Sequence, residues 1–307
     1  MVMDAEAVTA DEDLTHLHPS AQPIARLPAE ERLKHVRADR WIGYSRASEA
    51  LERLETLYEW PEKQRMPNLL LLGPTNNGKS MIIEKFRRLH PPISHVEHEQ
   101  VPVLAVQMPS EPSVSRFYVA LQAALGAPLR PRQRVPEMEQ ATLSLLRAVG
   151  VRVLVIDELH NVLAGRGDTR REFLNVLRFL GNELRIPLVG VGTREAYMAI
   201  RSDDQLENRF EPFALPRWEP NDEARSLLAS FAAAFPLRRR SIIDSEEMSR
   251  YLLTRSEGTI GELTRLLTDA AVAAIETGEE AINQRTLLVA PYVGPTERRH
   301  LFERELL

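Results

Sequence analysis

The sequence predicts an α/β fold: a five-stranded parallel sheet with flanking helices, followed by an all-helical C-terminal lid. Three observations predict it. Gly73-Pro74-Thr75-Asn76-Asn77-Gly78-Lys79-Ser80 lies between the apolar run Asn68–Leu72 and the helically spaced Met81–Phe86. A second apolar run, Val151–Ile156, ends in Asp157-Glu158. After Pro216-Arg217-Trp218-Glu219-Pro220 every patterned stretch has helical spacing. Short apolar runs of this kind are strands buried on both faces, as in sheets covered by helices on either side.

Composition sets the limits. The chain has 307 residues, 43% hydrophobic and 27% charged, the balance of a soluble globular protein. Without cysteine it has neither disulfides nor thiolate metal sites. The eight histidines are scattered and have no metal-ligand spacing. No apolar run approaches the ~20 residues of a membrane helix. The acidic N-terminus lacks the parts of a signal peptide, so a cytoplasmic protein is expected, with no membrane partner. A net charge of −5 does not advertise nucleic-acid binding, which must rest on local patches.

The first motif reads G-x-x-x-x-G-K-S, and its strand–loop–helix context is that of a P-loop. Glycines let backbone N–H groups turn onto phosphate oxygens, and the helix N-terminus adds partial positive charge. The expected cofactor-binding set is Gly73, Pro74, Thr75, Asn76, Asn77, Gly78, Lys79, Ser80 and Met81. Lys79 reaches the β- and γ-phosphates of ATP, and the Ser80 hydroxyl binds Mg²⁺. In the second motif the carboxylates emerge at the strand's C-terminal end, where open α/β sheets place ligands. Asp157 then supports Mg²⁺, and Glu158 activates the attacking water.

In chain order, residues 1–24 are acidic with few large apolar groups and read as a flexible extension. An α/β nucleotide-binding domain follows over 25–218. It opens with a helix over 28–40 that starts at Pro28. Trp41 and Tyr44 then lie where a nucleotide base could sit, or serve as core aromatics. The remaining strands are Val103–Val106, Pro187–Val191 and Pro212–Leu215, and a helix covers 170–185. Pro91-Pro92 and the His/Glu-rich stretch after it form a turn. Thr193, at a strand tip, either touches the γ-phosphate or caps the next helix. Arg209, at a helix end, either enters a neighbouring subunit's nucleotide site or pairs on its own surface. The helical lid covers 219–290, and Arg238-Arg239-Arg240 within it reads as a solvated turn. The tail, 291–307, is a charged segment with a few apolar residues, suited to docking on a partner.

The motifs stand in the order of an AAA+ ATPase. Arg40-Trp41-Ile42-Gly43-Tyr44, Met66–Gly73, Thr75–Ser80, Val155–His160, Val191-Gly192-Thr193 and Glu257–Glu262 resemble the TniB family, which groups with TnsC-type regulators of transposition. The resemblance covers roughly residues 25–290 and implies an ATPase that assembles with itself as a ring or helical filament on duplex DNA. It implies recruitment of a transposase, a TniQ-type target-selection protein as a further partner, and hydrolysis that ends the assembly. By position it makes Lys79, Asp157, Glu158, Thr193 and Arg209 the catalytic set, with Ser80 and Asp157 on the metal. It places DNA contacts at Arg116 and on the Arg130, Arg132, Arg134 loop. Basic residues lining a bore are compatible with an acidic chain. One departure is in the lid. Many AAA+ lids carry a sensor arginine just after Gly-x-x, whereas here Gly258-Thr259-Ile260-Gly261-Glu262 has its arginine, Arg265, one turn later. The competing reading is a signalling or chaperone-like AAA+ ATPase with no nucleic-acid partner. A binding module that has lost hydrolysis is disfavoured by the presence of Glu158 and Arg209.

Overall fold

The computed structural model describes residues 13–96, 99–128 and 132–305. Its central sheet has β1 (Asn68–Leu72), β2 (Val103–Gln107), β3 (Val153–Asp157), β4 (Leu188–Gly192) and β5 (Phe210–Ala214). The spatial order is β2-β3-β4-β1-β5 and every pairing is parallel. The five-stranded parallel sheet read from the sequence is therefore the one observed. Parallel pairing needs a crossover after each strand, and the long segments between the runs supply helices for it. Leu70, Leu154, Phe117, Tyr118, Phe173 and Leu177 are among the side chains that fill the core around the sheet. Because all five strands run the same way, Gly73, Glu158, Thr193 and Leu215 emerge along one edge.

Two local departures concern connections. Ile93–Ser94 and Glu99–Gln100 pair as a small antiparallel ladder in the stretch read as a turn. The helix expected over 170–185 runs Gly167–Leu184, and a 3₁₀ helix, Leu159–Ala164, precedes it. The 3₁₀ turn follows Glu158, whose left-handed backbone (φ 55°) redirects the chain.

The chain divides into two compact units. One is Arg46–Pro216; the other joins the described residues up to Ser45 to those from Arg217 onward. The second unit is helical, with helices Ala29–Arg37, Asp222–Ala234, Glu246–Arg255, Ile260–Glu276, Gln284–Val289 and Pro295–Glu305. Val36 of the first of these helices joins Leu228, Phe231, Leu252, Leu263 and Leu267 in its core.

Residues 13–24 are not a free extension. Leu14, Leu17, Ala21 and Ala25 bury one another, and the His18 N–H donates to Ala233 O at 2.9 Å. Nearby, Arg32, with only 2% of its side chain exposed, makes a two-pronged bond to Glu280, 2.7 Å on each arm. Glu280 also accepts the Arg238 backbone N–H, and Arg238 Nε donates to Ala25 O. Arg238 is thus half-buried and structural, while Arg239 and Arg240 are exposed as expected of a turn. The buried apolar side chains here, Leu14, Leu17, Ala21 and Ala25, are too few and too small for composition to reveal. The rest of the expected extension, residues 1–12, lies outside the described residues. Among the described residues no helix is long and apolar enough to cross a membrane.

Candidate nucleotide site

The site is built on the C-terminal edge of β1, β3 and β4. β1 ends at Leu72, and the loop turns through Asn76 (φ 59°) and Gly78 (φ 84°) into the helix Lys79–Leu89. The left-handed value at Gly78 is what a residue without Cβ adopts at little cost. No side chain caps this helix and its first turn holds no acid. The loop begins pinned to the neighbouring strand, since the Gly73 N–H donates to Gly192 O at 3.1 Å.

Lys79 is 7% exposed. Its ammonium donates to Gly73 O at 2.9 Å and Pro74 O at 2.6 Å. Burial pushes its pKa below the ordinary lysine value, and the Asp157 and Glu158 carboxylates pull it back up. A buried cation held by two neutral carbonyls at an uncapped helix N-terminus is a setting that favours an anion.

The neighbouring motif meets the loop directly. The Ser80 hydroxyl donates to Asp157 Oδ2 at 3.0 Å, and Asp157 Oδ1 accepts the Glu158 N–H at 2.7 Å. This hydroxyl–carboxylate pair is an oxygen donor set of the kind Mg²⁺ takes, with room left for water and phosphate. Among the described residues no cluster of three or more His, Asp or Glu offers a separate metal site. Thr193 occupies the N-cap position of the helix Arg194–Arg201, but its side chain does not cap; the hydroxyl donates to the Glu195 carboxylate. That bond, with the Glu195 backbone N–H, holds the Glu195 carboxyl below the usual range.

Asn77 has no special role in the sequence reading beyond its place in the loop. It is 3% exposed, and its amide donates to Leu215 O at 3.0 Å and Pro216 O at 2.9 Å. The P-loop is thereby bonded to the last residues before the unit boundary. Arg46, the first residue of the same unit, donates to Ala214 O at 2.9 Å and lies over the Phe213 ring. No sequence signal points to these bonds, because the acceptors are backbone carbonyls far along the chain.

The remaining predicted residues lie elsewhere. Arg209 is at the opposite edge of the sheet, where its carbonyl accepts the Asn68 N–H, and its guanidinium donates to Asn182 Oδ1 at 2.8 Å. Arg209, Lys63, Arg65 and Gln205 line a surface recess of about 420 Å³. Arg116 is exposed on the first turn of the helix Val114–Ala124. Arg132 (φ 63°) and Arg134 are exposed in the next loop; Arg130 lies outside the described residues. Among the described residues none of these three arginines forms an ion pair. In the helical unit Tyr44 meets Trp218 edge-on at 5.1 Å and, with Ile42, packs on that unit's core. Burial and Glu223 push its phenol up to about 12. Trp41 is half-exposed. Arg265 is exposed, on the helix Ile260–Glu276, where its charge acts on Asp269.

Sheet order and loop together define a P-loop fold of the AAA+ type. Solved structures agree on the fold. The ORC2 protein of Aeropyrum pernix, in its ADPNP–ADP complexes, superposes with a TM-score of 0.57 at 16% identity, covering 84% of this chain and 70% of that one. The ORC1 protein of Aeropyrum pernix in complex with DNA gives 0.59 at 18% identity, covering 84% and 68%. The RuvB Holliday junction branch migration motor of Thermotoga maritima gives 0.52 at 16% identity, covering 83% and 72%. No curated protein matches the sequence. The chain belongs to the TniB family: the family model for the bacterial TniB protein matches residues 32–220.

Proposed function

We propose that this protein is an ATPase that regulates DNA transposition, assembling on duplex DNA with ATP bound and leaving it after hydrolysis. The observation that carries the reading is the convergence of buried Lys79, Ser80, Asp157 and Glu158 on one sheet edge, linked by the 3.0 Å Ser80–Asp157 bond. Membership of the TniB family and the fold shared with an ORC1 protein solved on DNA support it.

In this reading Lys79 exchanges its two carbonyl acceptors for phosphate oxygens, a stronger pairing for a buried cation. Ser80 and Asp157 hold Mg²⁺, which when bound offsets phosphate charge. Glu158 takes the proton of the attacking water, and Thr193 orients the terminal phosphate or that water. Arg209 serves the site of a neighbouring subunit. Arg116, Arg130, Arg132 and Arg134 contact phosphates of the DNA. The α/β unit, Arg46–Pro216, carries the chemistry; residues 25–45, expected with it, belong instead with the helical unit that contains the 219–290 lid, and the 291–307 tail offers a surface to a partner, which the family resemblance makes a transposase or a TniQ-type protein.

Two substitutions test the site. Lys79→Ala abolishes binding of a fluorescent ATP analogue. Glu158→Gln keeps ATP and DNA binding while turnover falls by about 10²-fold or more. Equal hydrolysis by the Glu158→Gln protein would remove Glu158 as the base. A net charge of −5 suits the second reading, an ATPase without a nucleic-acid partner. That reading predicts turnover indifferent to duplex DNA.

A further inference from the structure

We infer that His160 is the residue that positions Glu158 for hydrolysis; the inference rests on the hydrolytic reading above. His160 lies in the 3₁₀ turn just after Glu158, and its Nε2 is 3.2 Å from Glu158 Oε2. Among the described residues it is the one basic group within ion-pair distance of that carboxylate. Glu158 needs such a partner. Its backbone is left-handed (φ 55°, ψ 34°), a conformation a non-glycine residue holds only when its surroundings impose it. Two main-chain bonds fix that backbone: the Glu158 N–H to Asp157 Oδ1 at 2.7 Å, and Asn161 N–H to Glu158 O at 3.0 Å. The side chain beyond it is 40% exposed and has His160 as its anchor.

The imidazole is fixed from behind. Its Nδ1 is buried and has no hydrogen-bond partner. A Cβ placed on Gly192 would stand 2.7 Å from the Ala196 Cβ and 3.4 Å, an ordinary contact distance, from both Nδ1 and the backbone nitrogen of His160, so the ring lies against the strand tip of β4. A buried N–H without an acceptor costs more than a buried lone pair without a donor. The proton therefore sits on Nε2, on the side of the ring that faces the Glu158 carboxylate. The role assigned to the histidine is indirect. It acts through the base, by limiting where the carboxylate can point, and a base displaced by about 1 Å loses on the order of 10²-fold in rate.

The test compares wild type, His160→Ala, His160→Gln, Glu158→Gln and the His160→Ala/Glu158→Gln double variant. ATP turnover and binding of a fluorescent ATP analogue are both measured. The glutamine amide can present an N–H donor near the position of Nε2. His160→Ala lowers kcat about 10- to 100-fold with KM within about twofold, and His160→Gln recovers most of the loss. The double variant is no slower than Glu158→Gln alone, because the histidine has nothing left to position. Wild-type kcat in His160→Ala, a glutamine variant as slow as the alanine one, or a loss confined to KM each overturns the assignment. If His160→Ala fails to bind the analogue, a His160→Phe variant, which keeps a ring but no donor, takes its place, and wild-type kcat in it overturns the assignment. A wild-type protein that binds ATP without turning it over refutes the hydrolytic reading itself, whereas turnover in wild type with no effect of His160 refutes the positioning role alone.

Discussion

Arg209 cannot serve the nucleotide site of its own chain, and this yields a quantitative prediction. Its carbonyl is bonded to the N–H of Asn68, the first residue of β1, whereas the P-loop begins after Leu72, the last. Five strand residues at ~3.3 Å each separate the two ends by about 16 Å. An extended arginine side chain reaches about 7 Å from its Cα, and Arg209 is bonded to Asn182 besides. In the proposed function a second copy supplies the arginine that completes the site. Arg209→Ala and Glu158→Gln proteins should each be nearly inactive alone. Mixed in equal amounts, a seam is active when an intact Glu158 meets an intact Arg209, which random assembly achieves at about one seam in four. Steady-state ATPase assays with duplex DNA should therefore return about a quarter of wild-type turnover, up from near zero. A mixture as inactive as its components would refute a shared site, and an Arg209→Ala protein with full activity would remove the arginine from catalysis.

Other consequences follow from the same geometry. Changing Arg116, Arg132 and Arg134 to Glu should weaken duplex DNA binding and flatten its salt dependence, by a slope of about 0.9 for each DNA phosphate that is no longer neutralised, while ATP binding stays; unchanged affinity and slope would place the DNA path elsewhere. Asn77→Ala removes two buried bonds to Leu215 and Pro216, at a net ~1 kcal/mol each, and should lower unfolding stability by ~2 kcal/mol in urea titrations. Asn77→Asp, which turns a carboxylate oxygen toward the same carbonyls, should be at least as destabilising, and wild-type stability in both variants would show that the bonds carry nothing.

The parts of the fold legible in the sequence were those carried by continuous runs. Asn68–Leu72 and Val153–Asp157 are buried on both faces, so their apolar character is unbroken and their ends mark the site. The helices Asp222–Ala234, Glu246–Arg255 and Ile260–Glu276 were equally plain, because each buries one face. What was not legible depends on distant or backbone partners. Leu14, Leu17, Ala21 and Ala25 recur at helical intervals, yet small side chains in an acidic stretch resemble a solvated tail until Ala233 and Leu237 are brought beside them. Arg238 looks like its exposed neighbours until Glu280 and Ala25 supply acceptors. The bond from Asn77 to the Leu215 and Pro216 carbonyls has no side-chain signature at the acceptor end. Thr193 shows the reverse case: its position is that of a cap, but Glu195 outcompetes the backbone for its hydroxyl.

In the proposed function ATP bound at Lys79 and Ser80 drives assembly on DNA. Electron micrographs of the protein with duplex DNA and a non-hydrolysable ATP analogue should show rings or helical filaments on the DNA, absent when nucleotide is omitted or when Lys79→Ala replaces the wild type. A protein that stays monomeric and off the DNA with the analogue bound would contradict it.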